Sequence, residues 1–330
     1  MSKMHDDNNR IEQRLSGAYI EMKDLLGARF SAKEVKLQQR RRALSLLAGP
    51  NKTNFRGRGI EFEEVRAYQA GDDIRTIDWR VTARTGKAYT KLFQEERERP
   101  LLIMTDQRQP MFFGSQYCFK SVMACYLSAL IAWSGIHNSD RVGGLVFGNK
   151  GQQEVRPRRS RKSALAFLHL LLEYNQSLNQ NSALSLSPAQ HLEQSLIELR
   201  RIAKPGSAIY IISDFSGYIG GTNPEDNSHS DNVQKHMYQL SRHCEITGIY
   251  IYDQLEKMLP PPGQYTVSNG QQRNQIHTGD RTVRERYSQH FSVKLENLHQ
   301  QLGKLGIPLI EASTNEAPLK RLLHYYSARR

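Results

Sequence analysis

From residue 101 onward, short unbroken apolar runs alternate with longer stretches of helical spacing. Residues 101–106 (LLIMTD), 141–148 (RVGGLVFG), 208–214 (AIYIISD) and 246–252 (ITGIYIY) are the short runs. They have the pattern of strands buried on both faces of a parallel sheet. Between and after them the spacing predicts helices over 117–137, 163–172, 187–203, 233–243, 283–305 and 318–326. Ser187 and Pro188 supply a cap and a first helical residue. Residues 152–156 read as a hairpin partner of the strand before them, 264–278 as a polar hairpin over Asn269-Gly270, and 307–311 as a last short strand. The polar segments 175–186 and 217–231 read as loops.

The first hundred residues follow a different pattern. Residues 10–48 are predicted as two helices, the second starting at Ser31 as N-cap with Glu34 three residues on. Residues 61–68 and 89–94 alternate like strands, with turns at Gly71-Asp72-Asp73 and Thr85-Gly86. The expected organisation is an N-terminal helical segment over 1–54, a small β attachment over 55–100, and an α/β domain over 101–330. That domain is a mainly parallel sheet with helices on both faces.

The stretch from Gly71 to Trp79 mixes acids and arginines with large apolar residues. Ile74, Ile77 and Trp79 are expected to be buried and to draw neighbouring charges inward. Buried charges need partners, so Arg66, Arg75 and Arg84 are expected to face Asp72, Asp73 and Asp78 in an ion-pair network.

Composition narrows the classes. The chain has 330 residues, 38% hydrophobic and 24% charged, which is ordinary globular material. Its formal charge of +13 favours polyanionic partners. Two basic clusters stand out, Arg40-Arg41-Arg42 and Arg156, Arg158, Arg159, Arg161 with Lys162. Neither carries interleaved aromatics or a nucleic-acid motif, so surface or protein docking is favoured over nucleic acid. Cys118, Cys125 and Cys244 have no zinc or redox spacing and point to a reducing compartment. No signal-peptide pattern is visible at the N-terminus, and the apolar run 121–136 is too short to span a bilayer. A cytoplasmic location without a membrane span is expected.

In open parallel sheets, sites form beyond the carboxyl ends of the strands, at the point where strand order reverses. That puts Asp106 and Asp214 in view, each ending a central strand, with Asp253 a third acid. Two carboxylates would hold Mg²⁺, and a metal-dependent hydrolase is one reading. The other reading of these acids is as loop and helix caps. No nucleophilic triad, metalloprotease pairing or phosphate loop appears.

The segments Gly59-Ile60-Glu61-Phe62, Arg66-x-Tyr68, Gly71-Asp72-Asp73-x-Arg75-x-Ile77-Asp78-Trp79, Ala83-Arg84-Thr85 and Glu95-Glu96 resemble a family signature. So do Met111-x-Phe113-Gly114, Lys120, Asp140-Arg141-Val142-Gly143 and Ser213-Asp214-Phe215. The family is the bacterial "domain of unknown function 58". The resemblance implies a von Willebrand factor type A-like domain acting with a MoxR-type AAA+ ATPase, as a non-enzymatic adaptor or chaperone partner for a client protein. It makes Arg66, Asp72, Asp73, Arg75, Asp78, Trp79 and Arg84 candidates for partner docking. Type A domains begin their metal-ion-dependent adhesion site Asp-x-Ser-x-Ser. Here the matching positions are Asp106-Gln107-Arg108-Gln109-Pro110, so Arg108 and Pro110 replace both serines. Asp214 matches the later aspartate, and Ser185 or Ser187 the threonine. No cofactor is expected on this pattern, Mg²⁺ at Asp106 and Asp214 being the alternative. A salt bridge from Arg108 to Asp106 or Asp214 would take the cation's place.

Overall fold

The structure is a computed structural model that describes residues 14–35, 37, 60–69, 72, 74–95, 99–179, 186–219, 224–268 and 273–327. The chain forms two compact units, residues 1–39 with 99–330, and residues 40–98.

The larger unit is built on a six-stranded sheet. Its strands are β3 (Pro100–Gln107), β4 (Arg141–Gly148), β5 (Gly151–Arg158), β6 (Ala208–Ser213), β7 (Glu245–Tyr252) and β10 (Leu309–Ser313). β1 (Ile60–Ala67) and β2 (Tyr89–Glu95) belong to the smaller unit. The sheet order is β10-β7-β6-β3-β4-β5, parallel throughout except for β5, which runs antiparallel at the edge. From β3 the chain first builds outward through β4 and β5, then returns to the other side of β3 with β6. Strand order therefore reverses between β3 and β6, which fixes where a crevice forms.

Alternation along β3 sorts the core into two layers. Leu101 and Ile103 join the cluster on one face, Leu102 and Met104 that on the other. The first face is covered by α1 (Met22–Ser31), α3 (Lys120–His137), α4 (Arg161–Ser177) and α9 (Pro318–Ser327). The second is covered by α5 (Pro188–Ile202), α6 (Pro224–Ser241) and α8 (Arg281–Lys304). α3 is buried along its whole length from Lys120 to Gly135, which explains its nearly uniform apolar composition. A four-residue helix, α7 (Gln254–Lys257), follows β7, and the hairpin of β8 (Gln264–Ser268) and β9 (Arg273–His277) precedes α8.

The N-terminal segment differs from its sequence pattern. Residues 14–20 are not helical; Gly17 forms a parallel bridge with Cys118, and Leu15 and Ile20 enter the main core. Ser31 ends α1 rather than capping a second helix. The cap at the start of α1 is Glu21, whose N–H is accepted by Asp24 at 3.3 Å. Trp133 of α3 donates to the Leu25 carbonyl at 2.9 Å and Ser134 to that of Val35 at 2.6 Å, so this segment belongs to the sheet domain up to about residue 39. Tertiary docking has overridden the local cap signal. Arg40, Arg41 and Arg42 lie outside the described residues.

Two loop expectations also shift. α4 continues to Ser177, and α6 begins at Pro224 inside the asparagine-rich segment expected to be a loop. Polar composition hid a helix whose buried residues, among those described, begin at Ser230 and Val233.

In the smaller unit, β1 (Ile60–Ala67) pairs antiparallel with β2 (Tyr89–Glu95), with an irregularity between Phe62 and Glu64. The connection holds a 3₁₀ turn, Ile74–Thr76, and a short helix, α2 (Trp79–Thr85), neither of which the sequence pattern predicted. Asp78 caps α2 by accepting from the N–H groups of Arg80 and Val81 at 3.0 and 3.2 Å. Gly86 ends it in the left-handed conformation.

Candidate functional site

Asp106 and Asp214 meet at the reversal point, at the carboxyl ends of β3 and β6. The end of β3 and the residue after it change character abruptly: Thr105, Asp106, Gln107 and Arg108 are all polar and all essentially without solvent exposure. Arg108 folds back on its own strand end. Its backbone N–H donates to Asp106 Oδ1 at 3.0 Å, its Nε to the same oxygen at 2.9 Å, and its Nη2 to Oδ2 at 2.6 Å. This is a two-pronged guanidinium–carboxylate pair, the strongest common geometry for such a pair. The remaining donors reach the Pro188 carbonyl at 2.7 Å and the Ser216 carbonyl at 3.2 Å. The guanidinium also lies 5.1 Å from the Phe147 ring centre.

The β6 side is held by a tight turn. Phe215 adopts φ +51°, unusual for a non-glycine residue. The turn aims the Ser216 N–H and hydroxyl at Asp214 Oδ1, at 2.9 and 2.7 Å. Ser213 donates across to Asp106 Oδ2 at 2.6 Å and accepts the Phe215 N–H at 2.9 Å. Gly217 (φ +91°) passes so close to α5 that a Cβ there would lie 2.5 Å from the Ala189 nitrogen. Only glycine fits this approach.

A second cation enters from α3. Lys120, 1% exposed, lies 3.4 Å from Asp214 Oδ2 and 2.7 Å from Glu256 Oε1 of α7. Arg108 Nη2 approaches Asp214 Oδ1 at 3.7 Å. Burial works against the charged forms of Asp214, Lys120 and Arg108, yet their partners more than offset it. Burial alone would raise the Asp214 carboxyl; Lys120, then Arg108, and the Ser216 hydrogen bonds bring it well below the usual carboxylate range. Burial likewise disfavours charged Lys120, and Asp214 and Glu256 more than offset it, leaving the ammonium above its ordinary value.

Asp253 serves a neighbouring junction. It caps α7 through Leu255 N–H at 2.9 Å and accepts from Ser115 N–H at 3.0 Å and the Thr314 hydroxyl at 2.6 Å. It thereby ties together the loops after β3, β7 and β10. Ser187 caps α5 in a reciprocal box with Gln190; Ser185 lies outside the described residues.

These residues do not fit a divalent cation. Such an ion needs carboxylate oxygens free to ligate, and both Asp106 oxygens already accept from Arg108. Among the described residues no three His, Cys, Asp or Glu side chains gather as a ligand set. Nucleophiles fare no better. Burial pushes the Cys118 thiol up to about 12, far from a reactive thiolate.

In the smaller unit, Arg66 pairs with Asp72 at 2.7 Å, and Asp72 also accepts the Gln69 N–H at 2.9 Å. Asp78 is a helix cap, Arg75 and Arg84 are exposed, and Asp73 lies outside the described residues. The expected burial of the apolar residues is corrected for two of three. Ile77 is half-buried and bridges Thr90, but Ile74 is 64% and Trp79 66% exposed. Trp79 opens α2 and Ile74 opens the 3₁₀ turn.

The family described as "Protein of unknown function DUF58" matches residues 64–296. The chain belongs to the DUF58 family. This DUF58 chain is 24% identical over 288 residues to "Uncharacterized protein Rv1480" of Mycobacterium tuberculosis, covering 87% of this chain and 82% of that one. Among solved structures, BatB from Bacteroides thetaiotaomicron is similar at TM-score 0.37 and 12% identity, covering 70% of this chain and 98% of that one. A von Willebrand factor type A protein from Catenulispora acidiphila is similar at 0.27 and 14%, covering 50% and 35%. The DUF58 chain has a mixed α/β fold on a mostly parallel six-stranded sheet. Among its described residues no helix is long and apolar enough to cross a membrane.

Sequence reading named Asp106, Arg108 and Asp214 for this rim. It missed Ser216 and Glu256 as participants, and held Lys120 and Ser213 only as part of the signature. An isolated lysine at the start of an apolar helix was the available signal for a buried, paired cation.

Proposed function

We propose that this DUF58 chain is a non-enzymatic interaction protein that acts with a MoxR-type AAA+ ATPase, and that the signature unit supplies the docking surface. The observation that carries the reading is the exposure of Trp79 and Ile74 within the most family-like stretch of the chain. Large exposed apolar side chains near arginines are the composition of interface anchors. The rim acids add support, because they are engaged with internal cations rather than presented to a substrate.

The test is direct binding between the full chain and a purified MoxR-type ATPase from the same genome, in ATP and in ADP. Saturable binding in at least one nucleotide state is expected. Trp79→Ala is expected to weaken it by at least about tenfold, the loss typical of an interface anchor, with an unchanged melting temperature. No binding in either state would count against the partner. Binding unaffected by Trp79→Ala would move the docking surface elsewhere.

A further inference from the structure

The two acids at the strand-order reversal surround a side-chain nitrogen in the way that oxygen ligands surround a metal. Arg108 Nη2 has Asp106 Oδ2 at 2.6 Å, the Ser216 hydroxyl at 3.3 Å and Asp214 Oδ1 at 3.7 Å. Two carboxylates from neighbouring strands and one hydroxyl therefore converge on a single positive centre. The Lys120 ammonium provides a second positive charge on the other oxygen of Asp214. The two unit charges they bring to these acids equal that of one divalent ion, with Glu256 as a third carboxylate on Lys120. Both cations are buried, so neither is a surface residue that happens to lie nearby.

We infer that Arg108 and Lys120 together fill the seat of a divalent cation at this rim, and that removing the Arg108 side chain opens a Mg²⁺ or Mn²⁺ site between Asp106 and Asp214. The wild-type rim is thus complete without metal. Its two strand ends are joined by groups that chelators cannot remove. Arg108 supplies most of the closure, since it also holds the Pro188 and Ser216 carbonyls and so links the start of α5 to the β6 turn. Lys120 extends the seat toward α7 through Glu256. The inference concerns only this rim and stands apart from the identity of the partner.

The experiment uses the full chain, with Mn²⁺ binding read by electron paramagnetic resonance and melting temperature read in EDTA and in millimolar Mn²⁺. The wild type is expected to melt at the same temperature in both and to show no bound Mn²⁺ that Asp106→Asn removes. Arg108→Ser is expected to melt lower in EDTA, to regain part of the loss with Mn²⁺, and to lose that gain when Asp214→Asn is added. Arg108→Lys keeps a charge at the seat and is the control: it should melt between the two in EDTA and ignore Mn²⁺. Wild-type Mn²⁺ binding that Asp106→Asn abolishes would overturn the assignment. So would a folded Arg108→Ser protein indifferent to Mn²⁺. If Arg108→Ser does not fold in either buffer, the wild-type and Arg108→Lys measurements decide.

Discussion

Arg108 and Asp106 are two positions apart, fully buried, and joined through both prongs of the guanidinium. Breaking such a pair strands a charge in the interior, which costs roughly 3–5 kcal/mol, whereas replacing both members with apolar residues is often near neutral. Arg108→Met is therefore expected to lose about that much stability in denaturant titration, and Asp106→Leu with Arg108→Met to recover most of it. A double variant no better than the single would mean that the Pro188 and Ser216 contacts, not the pair, dominate. Two other carboxyls give opposite pH signs. Asp214 is depressed, burial being outweighed by Lys120 and Arg108, so its contribution is present above the unfolded value near 4 and is lost as pH falls toward its folded value. Asp140 is raised to about 6 by burial, against the opposing pull of Arg99. The folded state there holds a proton that the unfolded state releases, so stability is lost as pH rises from roughly 4 to 6. Asp140→Asn should raise the melting temperature at pH 7 and leave it unchanged near pH 4; Asp214→Asn should lower it at pH 7, with the gap closing in acid. Of this rim, Asp106 and Asp214 were legible because each stands at the end of a recognisable strand, and Arg108 only through the resemblance to the type A metal motif. Lys120 and Glu256 were not, since what joins them is a topology that brings residues 136 apart within 2.7 Å.

The same division holds among the elements. The central strands β3, β4, β6 and β7 were legible because each is buried on both faces and reads as a largely apolar run, whereas the polar edge strand β5 could be read only as a hairpin partner. The α5 start was legible because Ser187, Pro188 and Gln190 together make a cap that no competing contact disturbs. Ser31 failed as a cap because its segment is docked on α3, and α6 was hidden by a polar first half. α2 escaped notice because seven residues carry too little periodicity, although Asp78 and Gly86 mark its ends correctly. Gly143 shows a constraint invisible in one sequence: at the bulge between β4 and β5, a Cβ would fall 2.4 Å from the Val155 carbonyl oxygen. Gly143→Ala should destabilise by roughly 1–3 kcal/mol, as overpacking against backbone does. Ser187→Ala should cost about 1 kcal/mol, the worth of one N-cap. A Gly143→Ala loss well under about 1 kcal/mol in chemical denaturation would show that the bulge relaxes and that the close approach is not a constraint.

For the whole molecule, the formal charge of +13 sets two interior and exterior regimes apart. At the junction of β5 and α4, Arg156, Arg158, Arg159, Arg161 and Lys162 are all exposed, and the first turn of α4 holds no acid. Positive side chains at a helix N-terminus oppose the helix dipole, so Arg161 and Lys162 are placed where they weaken rather than support α4. Net positive charge of this size also repels itself across the surface. Both effects reach through solvent, and salt shortens their range from about 30 Å at 0.01 M to about 8 Å at 0.15 M. The rim pair is sealed from water and should not respond. Raising salt over that interval should therefore raise the wild-type melting temperature, and Arg161→Gln with Lys162→Gln should flatten the rise. Meanwhile the Asp106–Arg108 coupling from the double-variant cycle should stay constant. The same two substitutions should remove most of whatever retention the chain shows on a nucleic-acid column at low salt, because that retention would be charge without base contacts. A melting temperature that falls with salt would mean that surface attractions outweigh the repulsion, and the basic junction would then be a stabilising network rather than a source of strain.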